Sequence, residues 1–187
     1  MKEVEKRSLI EEKDIPKLKK LLDEKAKIVS HKALQTILYA KPKYLRMRWE
    51  NGNEKATVTL KIGTYKDSSR DEYEMEIPTK DVPMFAKIML HLGFDECAYF
   101  NSECWTYNYN GFRIDLTTHD YLGTIFEAEK MTNNKEEVKN IGRDISAVFE
   151  EFGLKELETE KYMAMMESMF KKALKPVGAH HVLKVII

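Results

Sequence analysis

Four segments carry charged side chains at every second residue: Glu3, Glu5 and Arg7; Arg46 and Arg48; Arg70, Glu72, Glu74 and Glu76; and Glu127 and Glu129. Successive residues of a β-strand point to opposite faces, so each set shares one strand face. Two glutamates at i and i+2 lie roughly 6–7 Å apart along a strand. Both can therefore reach one hard cation through oxygen, directly or through water. Arg46 and Arg48 offer the planar fork that matches phosphate oxygens. Taken singly, such pairs more often line the wet face of a one-sided sheet. Their meaning depends on the order of the elements around them.

The spacing predicts strands over 2–10, 32–40, 43–50, 55–63, 70–77, 96–109, 112–118 and 124–130. The alternation is plainest in 55–63, where Ala56, Val58, Leu60 and Ile62 oppose Thr57, Thr59 and Lys61. Asn110-Gly111 marks a type I′ hairpin between two of these strands. Helices are predicted over 14–27 with Pro16 in the first turn, from a Thr79/Asp81 cap to Leu92 before Gly93, over 134–152 and over 158–174. Lys66-Asp67-Ser68-Ser69 reads as a turn, and the apolar Val182–Ile187 as a last short strand or a packed end. Many strands with few helices make an α+β chain, an antiparallel barrel or sandwich with its helices outside.

At 187 residues the chain has the length of one domain, taken as 1–187 with 134–174 a C-terminal helical pair. Lysine plus arginine and aspartate plus glutamate are equal at 31 each, so no basic excess points to broad nucleic-acid binding. Cys97 and Cys104 fit neither a metal knuckle nor a disulfide framework, which favours a reducing compartment. The charged N-terminus is no signal peptide, and no apolar run approaches the ~18 residues of a membrane span. The expectation is a cytoplasmic protein with no membrane partner.

Read in order, the segments resemble the CYTH superfamily, also called triphosphate tunnel metalloenzymes. Glu3-Val4-Glu5-Lys6-Arg7 resembles the Glu-x-Glu-x-Lys opening of that family, and Gln35 near Tyr39 its second strand. Leu45-Arg46-Met47-Arg48 is similar to its Leu-Arg-x-Arg strand, Thr59-Leu60-Lys61 to its lysine strand, and Arg70-x-Glu72-x-Glu74 to its Arg-x-Glu strand. Leu92-Gly93-Phe94 resembles the end of its helix, and Leu122-Gly123-Thr124-Ile125-Phe126-Glu127-Ala128-Glu129 its closing strand. Gly153-Leu154 and Tyr162 resemble its C-terminal helical pair, so the likeness runs from residue 3 to about 165.

The resemblance implies a closed eight-stranded antiparallel barrel around a tunnel, with Mg²⁺- or Mn²⁺-dependent chemistry on a triphosphate. Members include thiamine triphosphatases, inorganic triphosphatases, RNA 5′-triphosphatases and class IV adenylyl cyclases. Carried over by position, Glu3, Glu5, Glu127 and Glu129 are metal ligands, with Asp115 of Ile114-Asp115 a further one. Arg7, Arg46, Arg48, Lys61 and Arg70 bind phosphate, with Glu72 and Glu74 as acidic wall residues. Glu3, Glu5, Arg7 and Lys61 form the implied catalytic set. Phosphohydrolysis is the leading expectation, with cyclisation of ATP as an alternative. An RNA 5′-triphosphate is disfavoured, and a homodimer is compatible.

One departure stands out. Where the family carries a Lys-x-Arg pair, residues 99–107 read YFNSECWTY and hold no cation. Arg113 is the candidate substitute. Charge-assisted bonds are worth about 1.5–3 kcal/mol each, so this loss favours another alternative, a tunnel that binds or sequesters a nucleotide or polyphosphate without turnover. Other candidates have plainer readings. His180-His181 is a weak metal pair, and His119-Asp120 suits a turn better than a catalytic dyad. Met163, Met165, Met166 and Met169 suit core packing on a helix. Trp105, Tyr107 and Tyr109 could stack a ring, although strand aromatics usually pack.

Overall fold

The computed structural model describes residues 2–39, 43–63 and 70–176. Its elements run β1 (Lys2–Ile10), α1 (Ile15–Lys25), β2 (Lys27–Tyr39), β3 (Tyr44–Glu50), β4 (Lys55–Ile62) and β5 (Arg70–Pro78). They continue with α2 (Val82–His91), β6 (Glu96–Tyr109), β7 (Phe112–His119), β8 (Gly123–Thr132), α3 (Val138–Glu151), α4 (Thr159–Ala173) and β9 (Leu174–Pro176). The strand order β2-β3-β4-β5-β1-β8-β7-β6 returns to β2 through a β2–β6 pairing, closing an eight-stranded antiparallel barrel. The short β9 adds to β6 outside that circuit, at Glu96–Ala98. Among the described residues, the β1–β5 seam pairs Lys2 with Asp71 and Glu3 with Arg70.

Local chemistry explains the elements. Asn110 and Gly111 adopt φ of 51° and 80°, the left-handed pair that a type I′ turn requires. That turn fixes the β6–β7 register, with Thr106 opposite Asp115 and Cys104 opposite Thr117. Pro16 sits in the first turn of α1, where its missing N–H costs nothing. The β2 strand begins at Lys27, earlier than its alternation predicts, because β6 pairs with it from Asn108 onward across a bulge between Ile28 and Ser30. The helix predicted from 134 starts at Val138, after a 3-10 turn whose Asn134 side chain accepts a hydrogen bond from the Glu136 N–H. The 66–69 turn, His180-His181 and the 182–187 segment lie outside the described residues.

Three apolar clusters set the inside and outside of the barrel. Ile141, Ile145, Val148 and Phe149 recur on one face of α3 and bury against Val4, Ile114, Phe126 and Ala128 on the outer wall, joined by Leu18 and Leu22 of α1. Each such side chain contributes about 1.5–3 kcal/mol of transfer free energy. On the opposite flank, α2 covers Ile37, Met47, Trp49 and Val58 through Val82, Ala86 and Met89. The third cluster differs in kind. Met166, Met169 and Ala173 of α4 pack on Leu38, Ala98, Phe100, Leu122 and Ile125, so α4 lies across one end of the barrel. With both outer flanks covered, the charged alternate residues have only the interior to face. No helix among the described residues is long and apolar enough to cross a membrane.

Candidate functional site

Thirteen charged residues expected from the sequence line one cavity of about 800 Å³, mouth included: Glu3, Glu5, Arg7, Arg46, Arg48, Lys61, Arg70, Glu72, Glu74, Arg113, Asp115, Glu127 and Glu129, while Glu76 lines the adjoining one. Seven are carboxylates and six are cations, so a neutral chain encloses an intensely polar interior. A second cavity of about 930 Å³ adjoins it across Arg46, Arg48, Glu74 and Arg113 and opens past Lys32 and Lys55. The first ends under α4, at Tyr162 and Met166.

Most of the cations are already engaged. Lys61 Nζ lies 2.5 Å from Glu3 Oε2 and 3.1 Å from Glu72 Oε2. Arg70 pairs with Glu5 and stands 3.8 Å from Glu3. Arg7 pairs with Glu5, donates to Glu127 at 2.6 Å and sits 4.5 Å over the Tyr162 ring. Arg113 holds Asp115 at 2.9 Å and reaches Glu129 at 3.6 Å. Arg46 and Arg48 differ. Among the described residues neither forms a salt bridge, and each keeps a buried Nε with no hydrogen-bond partner. Burial, with Arg46 as a like-charged neighbour, pulls the Arg48 guanidinium down to about 10. Burial pulls on Arg46 too, but Tyr44, Glu72, Glu127 and Glu3 outweigh it and hold its pKa up.

The carboxylates divide in the same way. Cross-strand pairing sets Glu5 directly opposite Glu129, a like-charge contact that is unfavourable by itself. Oxygens of Glu3, Glu5 and Glu129 lie within 4.8 Å of one another. Burial, with Glu3, Asp115 and Glu127 nearby, raises Glu129 to about 8 against the relief from Arg113. Glu127 is the converse. Burial raises it, but the Arg7 guanidinium more than reverses this and holds it well below the usual carboxylate range. Glu3, Glu5 and Glu129 thus fit a hard divalent cation bound through oxygen, which would relieve the Glu5–Glu129 contact. Of the five carboxylates expected as ligands, Glu127 is turned to Arg7, and Asp115 accepts from Thr106 at 2.7 Å and from Arg113.

The family model described as the CYTH domain matches residues 1–163. The chain belongs to the CYTH domain family. Members are typically metal-dependent enzymes that act on triphosphates. Among solved structures, the PH1819 protein of Pyrococcus horikoshii OT3 superposes with a TM-score of 0.74 at 22% identity, covering 89% of this chain and 98% of that one. The PH1012 protein of the same organism gives 0.63 at 25% identity, covering 82% and 91%. A Vibrio parahaemolyticus protein put forward as an adenylate cyclase gives 0.67 at 14% identity, covering 88% and 97%, a likeness of fold alone. No curated protein sequence matches the chain.

The CYTH barrel also holds residues that the motifs passed over. His119 ends β7 inside the cavity, where burial foremost, then Arg48, lowers its imidazole to about 4. Asp120 accepts from the Asn101 backbone N–H and amide instead of pairing with it, so no dyad forms; the turn reading holds for Asp120, while His119 closes β7. Tyr44, Phe100, Tyr162, Met166, Leu38, Leu122 and Ile125 complete the lining. The Trp105, Tyr107 and Tyr109 trio faces the outer wall and packs with α1 and α3. The β6–β7 register carried that signal: with Asp115 inside, Thr106 and Cys104 face in and their odd-numbered neighbours face out.

Proposed function

We propose that this CYTH domain, taken as one unit over 1–187, hydrolyses a triphosphate in its tunnel with the help of a divalent cation, Mg²⁺ or Mn²⁺. The observation that carries this reading is the pair Arg46 and Arg48, each with a buried Nε that has no partner and with no salt bridge among the described residues, on the wall of a cavity whose other wall gathers Glu3, Glu5 and Glu129. A buried cation without a carboxylate is costly unless an anion is bound there, and two on one strand match the oxygens of successive phosphates. Glu3, Glu5 and Glu129 would hold the metal, which when bound supplies charge neutralisation and polarisation of the phosphoryl group. Arg46 and Arg48 orient the chain of phosphates. Lys61, Arg70 and Arg7, released from their carboxylates, stabilise charge on the phosphoryl oxygens as the terminal bond breaks. The Tyr162 end, closed by α4, limits bulk water.

A second reading has one observation in its favour. The inner face of β6 presents Ser102, Cys104 and Thr106, all neutral, so one wall holds phosphate without full charge. A binding protein without turnover follows if that deficit decides. Incubation with Mg²⁺ or Mn²⁺ and inorganic triphosphate, thiamine triphosphate or ATP, with phosphate and cyclic nucleotide measured separately, discriminates the readings. Phosphate release supports hydrolysis, cyclic AMP the cyclase, and tight binding without product the binder. Absence of both binding and product would sink the tunnel reading.

A further inference from the structure

Five buried side-chain atoms that lack any hydrogen-bond partner belong to one continuous stretch of the barrel wall: Arg46 and Arg48 Nε, Thr36 Oγ1, Ser102 Oγ and His119 Nδ1. The register ties them together. Thr36 is opposite Arg48 across β2–β3, and Ser102 is opposite His119 across β6–β7. An unsatisfied buried polar atom costs on the order of 1–3 kcal/mol, and three of the five residues, Arg46, Arg48 and His119, line the cavity, where a ligand can satisfy them. The arginine half suits phosphate. The other half does not, because Ser102 and His119 are uncharged; burial keeps the imidazole neutral near pH 7.

The surroundings of His119 say what suits it. Its ring meets Phe100 edge-on, with centroids 5.9 Å apart and planes at 64°. The same end of the cavity is lined by Leu38, Leu122, Ile125 and Met166, with Tyr162 held under Arg7. An apolar and aromatic pocket with one or two convergent neutral hydrogen-bonding groups accepts a flat, uncharged polar ring. The place where charged partners are missing from β6 is therefore matched by apolar surface and neutral polarity.

We infer that His119, backed by Ser102, is a specificity-determining residue that hydrogen-bonds the heteroaromatic ring of an organic triphosphate, seated under α4 with its phosphates running toward Arg46 and Arg48. This rests on the triphosphate reading above and narrows it: inorganic triphosphate fills only the arginine half. A neutral hydrogen bond is worth about 0.5–1.5 kcal/mol, so its loss lowers affinity roughly two- to twelvefold.

The test measures dissociation constants by calorimetry in Mg²⁺ for ATP, thiamine triphosphate and inorganic triphosphate. The wild-type chain is compared with His119→Ala, His119→Asn and Ser102→Ala. The expected result is a fall in the organic-to-inorganic affinity ratio of about fivefold or more in His119→Ala. His119→Asn, whose amide can overlie Nδ1, restores most of it, which separates ring recognition from a folding defect. Whether ATP or thiamine triphosphate shows the larger change names the ring. A wild-type chain that prefers inorganic triphosphate, or a ratio unmoved in His119→Ala, overturns the inference while leaving the tunnel reading intact. Failure of all three ligands to bind overturns both.

Discussion

Two parts of the same tunnel wall treat buried charge in opposite ways. Along β1, β4, β5 and β8, Lys61, Arg70 and Arg7 are interlocked with Glu3, Glu5, Glu72 and Glu127 at ion-pair distance. On β3, Arg46 and Arg48 line the same cavity but form no salt bridge among the described residues. The first arrangement ties β1 to β4, β5 and β8 across the seam at which the barrel closes. The second leaves charge ready for a bound anion. Stability and binding are thus assigned to different cations of one cavity, although all five sit on the same kind of alternating strand face.

The largest effect that tests this division is on binding. Arg46→Ala or Arg48→Ala should weaken inorganic triphosphate binding by roughly 10- to 150-fold, the worth of one charge-assisted bond, measured by calorimetry. Stability should move differently. Removing Arg48 deletes an uncompensated buried charge, so Arg48→Met should leave the urea midpoint unchanged or raise it. Arg7→Met strands Glu127 and takes one of two arginines from Glu5, and Arg70→Met takes the other. Breaking buried pairs in this way typically costs about 3–5 kcal/mol, and a clear fall in midpoint is expected. Equal destabilisation by Arg48→Met and Arg70→Met would erase the distinction.

A smaller effect concerns the carboxylate side. Lys61 occupies Glu3 at 2.5 Å, in competition with any metal that Glu3, Glu5 and Glu129 take. Lys61→Met keeps the volume and removes the competitor. Mn²⁺ alone, titrated at pH 8 and followed by its paramagnetic signal, should bind several-fold more tightly to this variant than to the wild type. Triphosphate should bind less tightly to it. Weaker Mn²⁺ binding would mean that Lys61 organises the carboxylates instead of masking them.

Much of this was legible in the residues. Period-two charge grouped ten of the thirteen wall residues on shared strand faces, the family resemblance added Lys61 and Asp115, and Asn110-Gly111 set the register that turns Asp115 inward. The ordered motifs pointed to a closed barrel, which is the fold found. What alternation cannot express is pairing across the lumen. Nothing in the spacing tells Arg46 from Arg70, because that difference depends on which carboxylate each meets from strands far away in sequence. His119 reads as turn for a related reason: beside Asp120 it looks like turn polarity, and only the length of β7 carries it inside. Likewise the Met165–Met169 face read as core, and the structure makes it core of a special sort, the closure of one tunnel end.

The finest test is a pH dependence, and its sign follows from Glu129. Its folded pKa, about 8, lies above the ordinary 4.5, so the native state holds a proton that the unfolded chain has released. Stability therefore declines as pH rises from about 4.5 to about 8 and levels off beyond. His119 acts oppositely, its folded value of about 4 lying below 6.5, so stability rises with pH between those values. Above pH 6.5 the histidine is neutral in both states, and the decline from there to 8 isolates the glutamate. Urea midpoints of the metal-free chain should fall over that interval, and Glu129→Gln should flatten the fall. Saturating Mn²⁺ should do the same, since a bound cation removes the reason for the proton. A midpoint that stays level from pH 6.5 to 8 in the metal-free wild type would show Glu129 already ionised, and its charge already balanced by Arg113.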